Sequence, residues 1–284
     1  SQVLKKNIKL SNIVDNFRFI SLEKTKKSLI GSINKIRVYN DKIFVLDMLS
    51  SKTLFVFSNE GKYLYKIGKK GNGPGEYVIP MDFTIDKKNK EVIILDGERR
   101  KIHFYDILGE FKRSQKLNFF ADNLEYTNSE QLLFKGSGKY DNLIISDGKA
   151  VKEKSFFPFR SRIESTLIMN PIQILNDSVN LFRLHTKDTI FRVTKNKVFP
   201  YSIINFKNEN KSFLKSTKID IKDVNKVNNT LSSYIETDQH IWLSYFTKKP
   251  KNSYYSVCIN KKTNNKIYYQ RHQLQLILIM NLCF

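Results

Sequence analysis

Alanine is almost absent from this chain. Its 284 residues include two, Ala121 and Ala150, with eleven glycines, six prolines, one tryptophan and two cysteines. So few prolines and glycines, without a three-residue period, rule out a collagen-like or low-complexity chain. Cys258 and Cys283 are too few for a disulfide framework or a four-thiolate zinc site. No apolar run approaches the roughly 20 residues that a membrane helix requires. The longest, Leu274 to Phe284, is interrupted by Gln275 and Asn281. The chain opens Ser1-Gln2-Val3-Leu4-Lys5-Lys6 with neither a leader pattern nor an initiator methionine, so it reads as mature or trimmed. The missing leader therefore says nothing against export.

What is present describes an ordered, aromatic-rich, basic protein. Hydrophobic residues make up 40% and charged residues 27%, enough for a sizeable buried core. The net charge of +22 raises nucleic acid or an anionic membrane as partners. Three features count against that reading. Lysines greatly outnumber arginines, whereas phosphate and base recognition favour the forked guanidinium. The lysines are scattered rather than grouped into blocks. The abundance of Lys, Asn, Ile, Phe and Tyr also matches what A/T-rich codons supply. A solvated basic surface is the favoured account of the charge, with polyanion adhesion through that surface as the alternative, and nucleic acid is disfavoured as a partner.

The apolar pattern has a period of two. Ile43-Phe44-Val45-Leu46-Asp47, Thr53-Leu54-Phe55-Val56-Phe57 and Tyr63-Leu64-Tyr65-Lys66-Ile67 are short β-branched or aromatic runs bounded by Asn, Asp, Ser and Gly. They predict strands joined by tight turns. The best helical candidate, Phe213 to Val227, is weakened by its Asn, Asp and β-branched content. Residues 43–64 are echoed by 92–112, with Asp47 matching Asp96, Phe57 matching Tyr105 and Gly61 matching Gly109. Fainter echoes occur at Leu143–Gly148, Asp188–Val193 and Ile235–Tyr245. Four strands per unit of about 45 residues predict an all-β protein, a β-propeller of four-stranded antiparallel blades. Blades are expected to start near residues 35, 81, 126, 169 and 216. Residues 1–34 would supply strands that help close the ring, and 35–268 the blades. Residues 269–284 would form a divergent or aberrant tail, because no acidic residue follows Asp238 and Leu274 to Phe284 matches nothing in the repeat. That tail would leave a strand edge open and favour association.

Gly68, Gly71, Gly73, Pro74 and Gly75 crowd the segment between the first two units. A phosphate-cradling loop would need a following Gly-Lys-Ser/Thr and a helix, and neither is there. The segment reads instead as a crossing between blades, with a positive φ expected at Gly71, Gly73 or Gly75. Asp47 and Asp96 recur at one blade position. They could form a carboxylate ring that holds calcium, or could bond turn amides or a basic neighbour such as Lys52 or Arg100. Lys69, Lys70, Arg99 and Arg100 could attract anions on one face. Trp242, with Tyr245 and Phe246, could stack a sugar or pack the core. His103, His185, His240 and His272 show no metal-ligand spacing, no Gly-x-Ser-x-Gly elbow marks a nucleophile, and Cys258 reads as a buried small hydrophobe.

The glycine-rich crossing, the following Val92–Asp96 strand and the Gly109 turn resemble the NHL-type repeat. Together with residues 12–36, Asp188–Val193 and Glu236–Tyr245, the chain from about residue 8 to 268 resembles a six-bladed β-propeller family of Bacteroidales cell-envelope proteins. Here about five blades are encoded. The resemblance implies a secreted or lipid-anchored protein of the periplasm or outer surface with no established activity; the anchor itself is not seen in this chain. The expected function is non-catalytic binding of a protein or carbohydrate. The alternative is a metal-dependent lactonase or lyase with its site in the channel. No cofactor is expected, with calcium in the channel left open.

Overall fold

The structure, a computed structural model, describes residues 18–151, 153–160, 171–176, 179–183, 189–195, 197–206, 229–248 and 252–270. Every regular element among them is a strand. The first sheet comprises β1 (Lys35–Tyr39), β2 (Lys42–Asp47), β3 (Thr53–Ser58) and β4 (Tyr63–Ile67). A two-residue parallel pair, β5 (Lys69–Lys70) and β6 (Glu76–Tyr77), lies in the crossing to the second sheet. That sheet holds β7 (Pro80–Asp86), β8 (Glu91–Asp96), β9 (Lys101–Asp106) and β10 (Phe111–Lys116). The third holds β11 (Ala121–Tyr126), β12 (Gln131–Gly136), β13 (Leu143–Asp147) and β14 (Glu153–Phe156). The fourth holds β15 (Ile172–Asn176), β16 (Val179–Arg183), β17 (Thr189–Val193) and β18 (Val198–Ile203). The fifth holds β19 (Asn229–Glu236), β20 (His240–Thr247), β21 (Ser253–Asn260) and β22 (Lys266–Gln270). All five are antiparallel meanders with strands adjacent in chain order. They are blades of a β-propeller, as the repeat predicts. The chain divides into two compact units; Arg18–Phe157 carries the first three blades and Pro158–Leu278 the other two.

Sequence determines where each strand sits in its blade. The second and third strands, such as β2 (KIFVLD) and β3 (TLFVFS), are buried on both faces and read as continuous apolar runs. The fourth strand is the outer edge; β10 (FKRSQK) is exposed along nearly its whole length, and its charges discourage pairing with another chain. Successive residues of β8 serve opposite neighbours. Val92 and Ile94 pack with Phe44, Leu46, Leu54 and Val56 of the first blade. Ile93 and Leu95 pack with Leu124, Leu132 and Phe134 of the third. In the other unit, Leu181 and Ile190 of the fourth blade pack with Leu231, Leu243 and Val257 of the fifth.

The turns are built by short polar side chains. Asn40 and Asp41, at φ 50° and 54°, form the left-handed pair of a two-residue hairpin between β1 and β2. The end of every third strand carries an oxygen that accepts from amides of the next turn. Ser58 takes Glu60 N and Lys62 N, Asp106 takes Leu108 N and Glu110 N, and Asp147 takes Lys149 N and Val151 N. Thr194 takes Lys197 N, and Asn260 takes Lys262 N and Thr263 N.

The blade starts differ from the even spacing read in the sequence. The first two fall at Lys35 and Pro80, but the third begins at Ala121 and the fifth at Asn229, not near 126 and 216. A fixed period assumes equal crossings, and the one from Lys116 to Ala121 is far shorter than the glycine-rich one. Phe213 to Val227 lies outside the described residues, as do His185, His272 and Cys283 and the tail beyond Gln270.

The glycine-rich crossing runs from the outer strand β4 to β7. Gly68 and Gly75 hold positive φ, at 65° and 70°, whereas Gly71 and Gly73 do not. A Cβ on Gly75 would stand 2.6 Å from the Phe111 ring. The Tyr105 hydroxyl donates to the Gly75 carbonyl at 2.9 Å, and Tyr77 donates to that of Ile67 at 3.0 Å, pinning the crossing to both blades. Gly75→Val is expected to destabilise the protein by about 1–3 kcal/mol. Gly73→Val, in a compatible conformation, should cost much less. Denaturant melts of the two variants check the contrast, and equal losses would contradict it.

Candidate functional site

Alternate residues of a strand share a face, and on the first strands of three successive blades those residues are polar. β1 supplies Lys35 and Arg37, β7 supplies Asp82 and Thr84, and β11 supplies Asn123 and Glu125. They meet in one charged cluster. Lys35 Nζ lies 2.8 Å from both Asp82 Oδ1 and Glu125 Oε1, and donates to the Leu124 carbonyl at 3.3 Å. Its three N–H groups thus have three acceptors. Asp82 also accepts from Phe83 N at 2.8 Å, Leu124 N at 2.9 Å and the Asn123 amide at 3.4 Å. Glu125 takes the Arg37 guanidinium and the Thr84 hydroxyl. The side chains of Lys35, Asp82 and Glu125 are 9%, 3% and 8% exposed.

Burial and the adjacent Glu125 charge push the Asp82 carboxyl up, despite Lys35. For Glu125, the opposing pull of Arg37 and Lys35 outweighs burial and holds its carboxyl down. The outermost member is Arg37, with 38% of its side chain exposed. It donates to the Ile36 carbonyl and to Glu125. A guanidinium has five N–H donors, so Arg37 keeps some for a ligand. The cluster therefore offers a rigidly held cationic fork above a neutralised base.

A second polar centre lies in the other unit. Glu236, on β19 and 1% exposed, accepts from the hydroxyls of Tyr201 at 2.9 Å and Tyr234 at 2.5 Å and from Lys261 Nζ at 2.7 Å. Its backbone exchanges hydrogen bonds with the Gln173 amide on β15. Every acceptor is engaged between the two blades, which describes a clasp.

The residues singled out in the sequence have other surroundings. Asp47 and Asp96 do occupy equivalent positions, at the ends of β2 and β8. Asp47 accepts from Gly31 N, Ser32 Oγ and Ser50 N. Asp96 accepts from Val78 N and Ile79 N. Each carboxylate ties its strand end to the segment that enters the same blade. The basic neighbours are not the partners: Lys52 and Arg100 sit in the turns at φ 50° and 52°, and the Arg100 guanidinium lies 5.1 Å over the Phe120 ring. Arg100 thus diverges from Arg99, which bonds Asn72 in the crossing. Lys69 pairs with Glu76 at 3.0 Å, and Lys70 is exposed beside it. The Glu76 carboxylate also accepts from Gly73 N at 2.8 Å. Trp242 is half-buried on β20, on the same face as Phe246, while Tyr245 takes the opposite face and stacks on Tyr255 at 5.5 Å. The three rings do not make one platform. Among the described residues, no three His, Cys, Asp or Glu side chains gather as metal ligands. Burial pushes the Cys258 thiol up to about 11, which leaves it unreactive. His103 is buried, and neither ring nitrogen has a hydrogen-bond partner among the described residues; Nε2 lies 3.8 Å from Asp96.

The charged cluster went unread in the sequence, although polar residues at alternate positions of each blade's first strand are its signal. Two predictions follow from these carboxylates. Lys35→Met leaves the buried Asp82 carboxylate without its cation and Glu125 with Arg37 alone, and should destabilise by about 3–5 kcal/mol in denaturant melts. For Asp47, burial acts to raise the carboxyl, but the bonds from Gly31, Ser32, Ser50 and Ser51 prevail and hold it at about 2. Its folded value lies below the unfolded one, so its stabilisation is complete above about pH 4 and is lost as pH falls toward 2. Asp47→Asn should remove roughly 2 kcal/mol of stability at neutral pH and flatten the acid limb of the stability curve.

A family model described as a domain of unknown function, DUF4934, matches residues 2–278. No curated protein matches the chain. Among solved structures, one from Bacteroides fragilis, provisionally described as an exported protein, superposes with a TM-score of 0.77 at 19% identity, covering 94% of this chain and 78% of that one. A member of the DUF4221 family from Bacteroides vulgatus gives 0.55 at 10% identity, covering 89% and 84%. A Bacteroides caccae protein of unknown function gives 0.53 at 8% identity, covering 84% and 81%. At these identities the likeness is one of fold. With the family model spanning nearly its whole length, the chain belongs to the DUF4934 family.

Proposed function

We propose that this propeller is a non-catalytic binding module of the cell envelope that holds an acidic group of a protein or glycan ligand at Arg37. The observation that carries the reading is the Arg37 guanidinium, anchored by Glu125 yet more than a third exposed on the first strand of its blade. A fork held in place binds a carboxylate bidentately at little cost in side-chain order. The provisional description of the Bacteroides fragilis neighbour as exported supports an extracytoplasmic location. A six-bladed ring and a lipid anchor belong to the same proposal and rest on the family resemblance alone. A lactonase or lyase would draw on carboxylates with free acceptors, whereas those of Asp82 and Glu125 are occupied by Lys35, Arg37, Thr84 and backbone amides.

The test is a screen of the folded protein against acidic and neutral peptides, uronic-acid and neutral glycans, and calcium. Carboxylate-bearing ligands should bind, and Arg37→Ala should weaken them by at least about tenfold, the loss of one charge-assisted contact. Because Arg37 also pairs with the buried Glu125, some loss of melting temperature is expected, and a cooperative melt well above the assay temperature shows that the fold is intact. Binding that ignores Arg37, or that selects only neutral ligands, would contradict the reading.

A further inference from the structure

The charges of the Lys35 cluster are balanced as they stand, two cations against two carboxylates. Lys35 Nζ is shared, at 2.8 Å from Asp82 Oδ1 and 2.8 Å from Glu125 Oε1, and all three side chains are at least nine-tenths buried. The two carboxylates are not equivalent. Glu125 has a second cation in Arg37, whereas among the described residues Asp82 pairs with Lys35 alone. The other donors to Asp82 are neutral: the amides of Phe83 and Leu124 and the Asn123 side chain. From β8, apolar Leu95 stands opposite it in the ladder. Asp122, the other carboxylate of β11, has Lys135 and Ser137 as neighbours.

An acidic group bound at Arg37 upsets this balance, because three anions then share two cations. Two of those anions are shielded from water, so the excess charge is poorly screened. Glu125 offers no relief, since Arg37 and Lys35 hold its carboxyl down. Asp82 does: burial and the Glu125 charge already push its carboxyl up, which makes it the place in the cluster where a proton is most easily added. With Asp82 neutral, the Lys35 charge is left to Glu125, and more of the Arg37 charge is left to the ligand. We propose that an acidic ligand is taken up at Arg37 together with one solvent proton, which settles on Asp82, so that the propeller holds its ligand more tightly as the medium turns acidic. This rests on the Arg37 reading and adds a regulation to it. The coupling is reciprocal, each of ligand and proton raising the affinity for the other. Affinity is lowest where Asp82 stays ionised with the ligand bound, rises as pH falls, and levels off once Asp82 is protonated without ligand.

Calorimetric titration of the full chain with a glutamate-rich peptide and a glucuronic-acid disaccharide tests this from about pH 8 to about pH 5.5, where ligand carboxylates stay largely ionised. Affinity should rise about tenfold toward the acidic end, a size usual for coupled sites. Repeating the titration in buffers of different ionisation heat should show proton uptake on binding. Asp82→Asn places an amide where the protonated carboxyl would stand. It should bind with the affinity of the acidic form at every pH and take up no proton. The proposal is overturned if the native chain binds through Arg37 with an affinity indifferent to pH and without proton uptake. It is equally overturned if the pH dependence survives in Asp82→Asn, because the proton then settles elsewhere. Should that variant fail to fold, the buffer series on the native chain decides alone. Binding of neither probe at any pH overturns the Arg37 reading itself and this inference with it, so the two failures are told apart.

Discussion

A sheet whose two central strands are apolar on both faces cannot stand in water; it needs a neighbour on each side. The second blade shows the constraint residue by residue, because Val92 and Ile94 belong to one interface and Ile93 and Leu95 to the other. At roughly 25 cal/mol per Å² of apolar surface removed from water, a handful of such side chains outweighs any single polar contact in the molecule. Stacking explains the gradient of burial across each blade and why charged residues such as Lys112, Arg113 and Lys116 collect on the outer strand. It also forces the first strands of adjacent blades together. Polar side chains on them must then be matched, and Lys35, Arg37, Asp82 and Glu125 are: two cations against two carboxylates.

Apolar stacking has no preferred register, and polar side chains at the turns provide it. Asp47 and Asp96 fasten the end of each second strand to the chain entering the same blade, through Gly31 and Ser32 in one and Val78 and Ile79 in the other. Ser58, Asp106, Asp147, Thr194 and Asn260 hold the turn after the third strand. The residue type varies because any short side chain with an oxygen acceptor reaches those amides. A blade can thus drift far in sequence while its corners stay fixed.

This division decides what could be read in advance. The apolar runs of β2, β3, β8 and β9 and the paired glycines Gly61 and Gly109, both at positive φ, made the repeat and the fold class legible. Gly75 was legible as a backbone requirement; Gly71 and Gly73 were not separable from it, since neither holds a positive φ and a Cβ on Gly71 would instead meet the Glu76 carboxylate. The site was much less visible. Lys35, Asp82 and Glu125 lie in three different repeats, and against a charge of +22 each resembles an ordinary surface residue. Arg99 and Arg100 looked like one basic patch, yet a left-handed residue between strands sends Arg100 to Phe120. Contact between blades depends on how twisted sheets meet, which strand periodicity alone does not encode.

The crossing between the first two blades has the glycine content of an anion-binding loop, and it does hold an anion. Glu76, tethered three residues from Gly73, fills the cradle with help from Lys69, and these contacts hold its carboxyl below the usual range. A tethered group competes at an effective concentration on the order of millimolar or more without giving up translational freedom. A free phosphate entering this loop would have to expel a rival that never leaves. The loop is thus its own saturating ligand, and the glycines that resemble a receptor for phosphate serve a recognition event within the crossing itself.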